Sequence, residues 1–138
     1  MITSGIVSYL LAQPAVSALV GENIQPIPAT MDDSYPLITY QVISDIPQAY
    51  TLTGSANVSQ IRIAFDCLAD ESCSDPYLVS HQIADAIKTA LSGLTATTLP
   101  DGTYLFQSRV VGQFDGYNED GKLSHTTVHV SFLYASAY

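Results

Sequence analysis

Residues 59–67, SQIRIAFDC, alternate with period two: Ile61, Ile63, Phe65 and Cys67 fall on one side, Gln60, Arg62 and Asp66 on the other. Such alternation marks a strand with one face in the core and one face out. Shortly after, the period switches to that of a helix. Val79, Ile83, Ala86, Ile87, Ala90, Leu91 and Leu94 form one apolar stripe at about 100° per residue. Ser74 or Asp75 supplies the N-cap, Pro76 suits the first turn, and Gly93 ends the helix. A one-faced strand and a one-faced helix bury their apolar sides against each other, so the chain folds as a sheet with a helix laid on it.

The remaining segments extend this plan. Residues 2–12 place Ile2, Ile6, Tyr9 and Leu10 on one helical side, Gln13-Pro14 breaks that helix, and a second short helical turn runs from Pro14 to Val20 before Gly21. The proline-rich IQPIPATMDDSYP reads as an extended loop. LITYQVIS (37–44) is β-branched and aromatic, hence a strand. Two more strands are expected near 103–114 and 123–134, joined by GYNEDGK with its Asp-Gly turn signal. On the first, Gln107, Arg109 and Gln113 point outward if Phe106, Val110 and Phe114 face the helices. On the second, His125, Thr127, His129 and Ser131 stand opposite Val128, Val130, Phe132 and Tyr134. The expectation is one domain over 1–138, of class α+β, with an antiparallel-rich mixed sheet and two main helices on one face.

Charge narrows the function. Four Lys and Arg against 13 Asp and Glu leave a net charge of −9, so no basic patch can be built for specific nucleic-acid binding or for a membrane surface. Charged residues make up 12% of the chain, half of the ~25% usual in globular proteins. A surface so poor in charge suits burial in an assembly. The N-terminal stretch lacks the positive start of a signal peptide, and two cysteines do not make a disulfide scaffold. The chain is therefore expected in the cytosol with free thiols.

Two clusters invite a chemical reading and neither sustains it. Cys67 points to the core, while His81 lies about 155° around the helix from the stripe, beside Asp85 and Lys88; the two do not share an ion. Cys73 lacks a positioned base. His125 and His129 share a strand face but stand roughly 13 Å apart. No GxSxG, P-loop, GxGxxG or HExxH pattern occurs. No catalytic residue, metal or cofactor is expected. The broad, mostly uncharged sheet face suits contact with a partner as well as with water, and Gln60, Arg62, Arg109, His125 and His129 are the candidate interface residues. The segment 44–58 reads as a loop or a weakly pinned hairpin arm, and its Tyr50 and Leu52 are further candidates.

In order and spacing, LLAQPAVSALVGENIQP, YPLITYQVIS, SQIRIAFDCLAD, QIADAIKTALSGL and VHVSFLY resemble the tail completion family of long-tailed bacteriophages, which includes tail terminators and tail-to-head joining proteins. The resemblance runs nearly end to end. It implies a ring, expected to be a homo-hexamer, at the head-proximal end of the tail tube. Such a ring stops tube polymerisation and docks onto the head's connector, and the family has no catalytic residues to carry across. The implied partners are the tail tube protein and a head-completion or connector protein, with double-stranded DNA passing through unbound and no membrane. An acidic channel wall fits that passage, with Asp32, Asp33, Asp115, Glu119 and Asp120 as candidates; the alternative places these acids on the outer rim, where they keep the subunit soluble. A head-closure or tail-tube role is the alternative, and a small metal-dependent hydrolase a distant one.

Overall fold

The structure is a computed structural model, and it describes residues 2–27, 36–47, 50–51, 54–55, 57–71, 73, 75–118 and 123–135. Three helices lie on one side of a six-stranded sheet of order β1-β2-β5-β8-β7-β6. The helices are α1 (Ile2–Leu11), α2 (Pro14–Val20) and α3 (Pro76–Leu91). The sheet strands are β1 (Ile24–Pro26), β2 (Leu37–Pro47), β5 (Val58–Ala69), β6 (Thr95–Thr98), β7 (Tyr104–Asn118) and β8 (Leu123–Ala135). Two short strands, β3 (Tyr50–Thr51) and β4 (Gly54–Ser55), form a separate two-stranded ladder. β1 pairs parallel to β2, and every other sheet pair is antiparallel, so the sheet is mixed as expected.

Each helix starts and stops for a local reason. Pro14 ends α1 and opens α2, and the two axes bend by 86°. Asp75 caps α3 by accepting from the Leu78 N–H at 3.3 Å, which satisfies one of the orphan donors of the first turn. Gly93, at φ +71 beyond the C-cap, takes the left-handed turn that a β-carbon resists. No single helix among the described residues is long and apolar enough to cross a membrane.

The core lies between the helices and the inner face of the sheet. Ile83, Ile87 and Leu91 of α3 are buried with Ile61, Ile63, Phe65 and Cys67 of β5 and Val128, Val130 and Phe132 of β8. Ile6 and Leu10 of α1 and Val16 of α2 close the same cluster. The stripe on α3 and the alternation in β5 are thus two sides of one interface. The short α2, expected from Pro14 to Val20, packs beside the two main helices α1 and α3.

Two strands are absent from the sequence reading. β1 lies in the stretch read as loop and has only three residues, one of them Pro26; its pairing with Ile38, Thr39 and Tyr40 comes from tertiary contact. β6 is Thr-rich and mostly exposed, an edge strand beside residues 104–107. Of the segment 44–58, the described residues pair as in a hairpin: β2 and β5 stay paired out to Pro47 and Ser59, and Tyr50 pairs with Ser55 beyond them. Asn57, at φ 60, leads the chain back into β5; asparagine tolerates that conformation.

The largest difference lies on β7. Its register against β8 shifts between Leu105 and Gln107 and again between Val110 and Gly112. Each bulge inserts one residue and swaps the facing of every later residue on the strand. Gln107 and Arg109 do face outward, and Val110 inward. Beyond the second bulge the assignment inverts: Phe114 pairs with the outward Thr127, and Gln113 with the inward Val128.

Candidate interface on the outer sheet face

The side of the sheet away from the helices carries an ordered set of polar side chains. β5 contributes Gln60, Arg62 and Asp66, and β8 contributes His125, Thr127, His129 and Ser131. Gln60 donates to the Ser131 hydroxyl at 2.5 Å. Arg62 reaches His129 Nδ1 from Nε at 3.2 Å and from a terminal nitrogen at 3.0 Å. The Thr127 hydroxyl donates to the Asp66 carboxylate. The first two contacts are diagonal across the ladder and the third is direct, the arrangement by which paired strands gain side-chain stabilisation.

The Arg62–His129 contact fixes a proton. Guanidinium has no acceptor, so Nδ1 must offer its lone pair and the neutral ring carries hydrogen on Nε2. Burial and the Arg62 charge hold the His129 pKa below the ordinary histidine value, against an opposing pull from Asp66. Phe114 of β7 stands edge-on to the same ring at 5.3 Å between centroids. His125 crosses the neighbouring strand where β7 has Gly116; a β-carbon there would overlap its ring. Arg109 stands on β7 opposite Ser131. Gln60, Arg62, Arg109, His125 and His129 therefore share one face. In the outward phase of β2, Leu37 and Thr39 are buried, whereas Gln41 and Ile46 farther along the strand are exposed.

The other expected site residues are more scattered. Tyr50 has a described backbone in β3, and Leu52 lies outside the described residues. Asp32, Asp33, Glu119 and Asp120 also lie outside them. Asp115 pairs with Thr126 on the helix side of the sheet. There it accepts from the Thr126 hydroxyl at 3.3 Å and stands 3.0 Å from His81 Nε2. His81, expected to point to solvent, is thus half-buried under the far end of β7, which runs four residues past the expected 114. Its Nε2 is out of line for a hydrogen bond, so the contact with Asp115 is one of proximity.

His81, Asp115, Thr126 and the buried Ser80 bring imidazole, carboxylate and hydroxyls together beside a groove of about 570 Å3. The connectivity is wrong for nucleophilic catalysis. A relay needs the imidazole between hydroxyl and carboxylate, whereas here imidazole and hydroxyl both meet one carboxylate oxygen. Ser80 spends its proton on the Tyr77 carbonyl at 2.9 Å. Cys67 is fully buried, and burial, with the Asp66 charge next to it, pushes its thiol far above the ordinary range. Among the described residues no three of His, Cys, Asp and Glu come together as a metal site.

A sheet covered by helices on one side, with an ordered polar ladder on the other, defines an α+β subunit built around its two faces. The same fold occurs in a solved virion of a native gene transfer agent particle, whose matching chain is 13% identical with a TM-score of 0.70. The match covers 98% of this chain and 95% of that one. The sequence pattern described as tail completion protein gp17 matches residues 4–135, and the chain belongs to that family. No curated protein sequence matches it.

Proposed function

We propose that the chain is a tail terminator or tail-to-head joining subunit, which assembles as a ring, of six copies, at the head-proximal end of a phage tail tube. There it stops tube growth and meets a head connector protein. Family membership over residues 4–135 carries this reading. The fold shared with a chain of a gene transfer agent virion supports it, as do two strand edges of the sheet that no described strand covers. β1 covers only residues 38–40 of β2, and Val42, Ile43 and Ile46 beyond it are exposed. β6 stops opposite Gln107, and Val111, Phe114 and Tyr117 beyond it are exposed. Unpaired edges with apolar side chains are what a free monomer avoids and an assembly covers.

In this reading the hairpin over 44–58 reaches an adjacent subunit or the tube, with Tyr50 and Leu52 as contacts. Asp32, Asp33, Glu119 and Asp120 belong to the channel wall. Asp115, tied to α3, joins them only if the helix side faces the lumen. Particles produced without this chain test the proposal: electron microscopy should show unjoined heads and tails of uncontrolled length. Adding the purified protein should restore joining. Normal-length tails attached to heads in its absence would overturn the role, and normal-length tails with leaking heads would make it a head-closure protein.

A further inference from the structure

We infer that the hollow on the outer face between Gln60, Gln107, Arg109, Ser131 and Leu133 is a carboxylate site, filled by an aspartate or glutamate of a second copy of this chain. The inference rests on the assembly reading above and adds to it the contact by which copies join.

The hollow encloses about 180 Å3, too small for a cofactor or drug-sized ligand and large enough for the end of one side chain. Every polar side chain of its lining can donate, and its one charge is positive. Arg109 presents five N–H groups in a fixed fork and accepts nothing. Gln107 brings an exposed amide. Ser131 accepts from Gln60 at 2.5 Å, which leaves its own proton free to donate outward. No acid lines the hollow.

Arg109 also stands apart from the other basic residues. Lys88 is paired with Asp85 at 3.2 Å, Arg62 is bonded to His129, and Lys122 lies outside the described residues. Among the described residues, Arg109 has no acidic partner. The chain has 13 acids and 4 bases, so any second copy has carboxylates to offer and few cations to pair them with. A carboxylate also matches the geometry, since guanidinium binds it through two parallel hydrogen bonds.

The surroundings suit a protein neighbour. Phe106 and Val111, the two bulge residues of β7, and Phe114 are 39%, 41% and 57% exposed. They frame Arg109 along its strand with apolar surface that excludes water from an ion pair. From Arg109 onward this edge of β7 has no described strand beside it, so a neighbour's approach is open. DNA phosphate is the other anion in such a particle. Binding it takes several cations neutralising several phosphates, and this face offers two, Arg109 and the Arg62 that is turned onto His129, on a chain of net charge −9.

Chemical coupling tests the contact directly. Arg109→Lys places an amine at position 109, and a carbodiimide joins it to a carboxylate only on contact. In an equal mixture of 14N- and 15N-labelled chains, mass spectrometry should find an isopeptide between position 109 of one isotope and an Asp or Glu of the other. In parallel, Arg109→Gln should weaken self-association by roughly 30-fold or more in sedimentation equilibrium, with the thermal melt of the dilute monomer unchanged. Unaltered association of Arg109→Gln together with no cross-isotope product at 109 overturns the site while leaving the ring reading intact. Wild-type protein that stays monomeric at all concentrations overturns the ring reading itself. Binding of a short DNA duplex that Arg109→Gln abolishes would assign the hollow to phosphate and overturn the carboxylate.

Discussion

Replacing Ile87 with alanine tests the whole architecture at one position. Ile87 is fully buried in the middle of α3, which lies across β8 and β5, in the same cluster as Ile63, Phe65, Val128 and Val130. The change removes three carbons. At ~0.8 kcal/mol for each, lost burial contributes about 2.4 kcal/mol. The neighbours include β-branched side chains on a paired sheet, which relax poorly, so a residual cavity adds about 1 kcal/mol. The expected loss is about 3.5 kcal/mol, a large share of the 5–15 kcal/mol that holds a domain of this size together. For 138 residues the unfolding entropy near 60 °C is about 0.3 kcal/mol/K, so the midpoint should fall by about 12 °C. Urea melts of the isolated chain measure the first figure and calorimetry the second. Lys88→Ala is the matched control: it lies next in sequence but makes only a surface pair with Asp85, and it should change stability by less than ~0.5 kcal/mol. A loss below ~0.5 kcal/mol at Ile87, or equal losses at both positions, would refute the reasoning that the stripe is core.

Other outcomes rest on single contacts. Gly5 sits inside α1, where alanine would ordinarily gain ~1 kcal/mol, but a β-carbon there overlaps the Asp101 carboxylate, which Thr103 holds through its N–H and hydroxyl; Gly5→Ala should stabilise the protein only when Asp101→Ala accompanies it, as a double-mutant cycle in urea would show. His129 has a folded pKa below its unfolded value of ~6.5, so its contribution is complete above pH ~6.5 and is lost as pH falls through the folded pKa. An NMR titration should find its pKa below 6.5 and raised by Arg62→Gln; no rise would show that Arg62 does not hold the ring. A thiol reagent should label Cys73 rapidly and Cys67 only on unfolding, because Cys67 is fully buried and Cys73 is half-exposed; two fast thiols in the native protein would mean that β5 is not where the core lies.

What the sequence revealed and what it hid have the same cause. α3 and β5 were legible because each is long, periodic and one-faced, and the partner that completes the pattern is the other element. α1, α2 and the β7–β8 pair emerged from spacing and from punctuation by Pro14, Gly21 and the Asp-Gly turn signal. β1 and β6 were not legible, since three or four residues such as IQP and TATT have no period of their own and pair only because longer strands stand beside them. The outer-face residues on β5 and β8 were found because those strands alternate without interruption. The His81–Asp115 contact was missed because it depends on the bulges of β7, and a bulge leaves no mark in hydrophobic pattern.

That bulge decides the chemistry of both faces. Counting by twos from Arg109 along an uninterrupted strand puts Gln113 and Asp115 on the outer face and Phe114 inside. The extra residue at Val111 reverses this: Phe114 joins His129 outside, and Asp115 turns in to Thr126 and His81. Acids are thereby kept off the outer side of β7, and Arg109 remains its only charge among the described residues. Val111 itself has no partner across the strand pair, so the structure makes an unusual demand. Deleting Val111 leaves Val110 opposite Val130 and Gly112 opposite His129, in regular register and with every later side chain on its present face. This deletion should cost no more than about 1 kcal/mol and keep the Phe114–His129 contact visible by NMR. Inserting one residue between Gly112 and Gln113 is not absorbed this way: it turns Phe114 inward and Asp115 outward, breaks both contacts of Asp115, and should cost about 3 kcal/mol or more. Equal damage from the deletion and the insertion would show that β7 is not bulged at Val111 and that Asp115 does not meet α3.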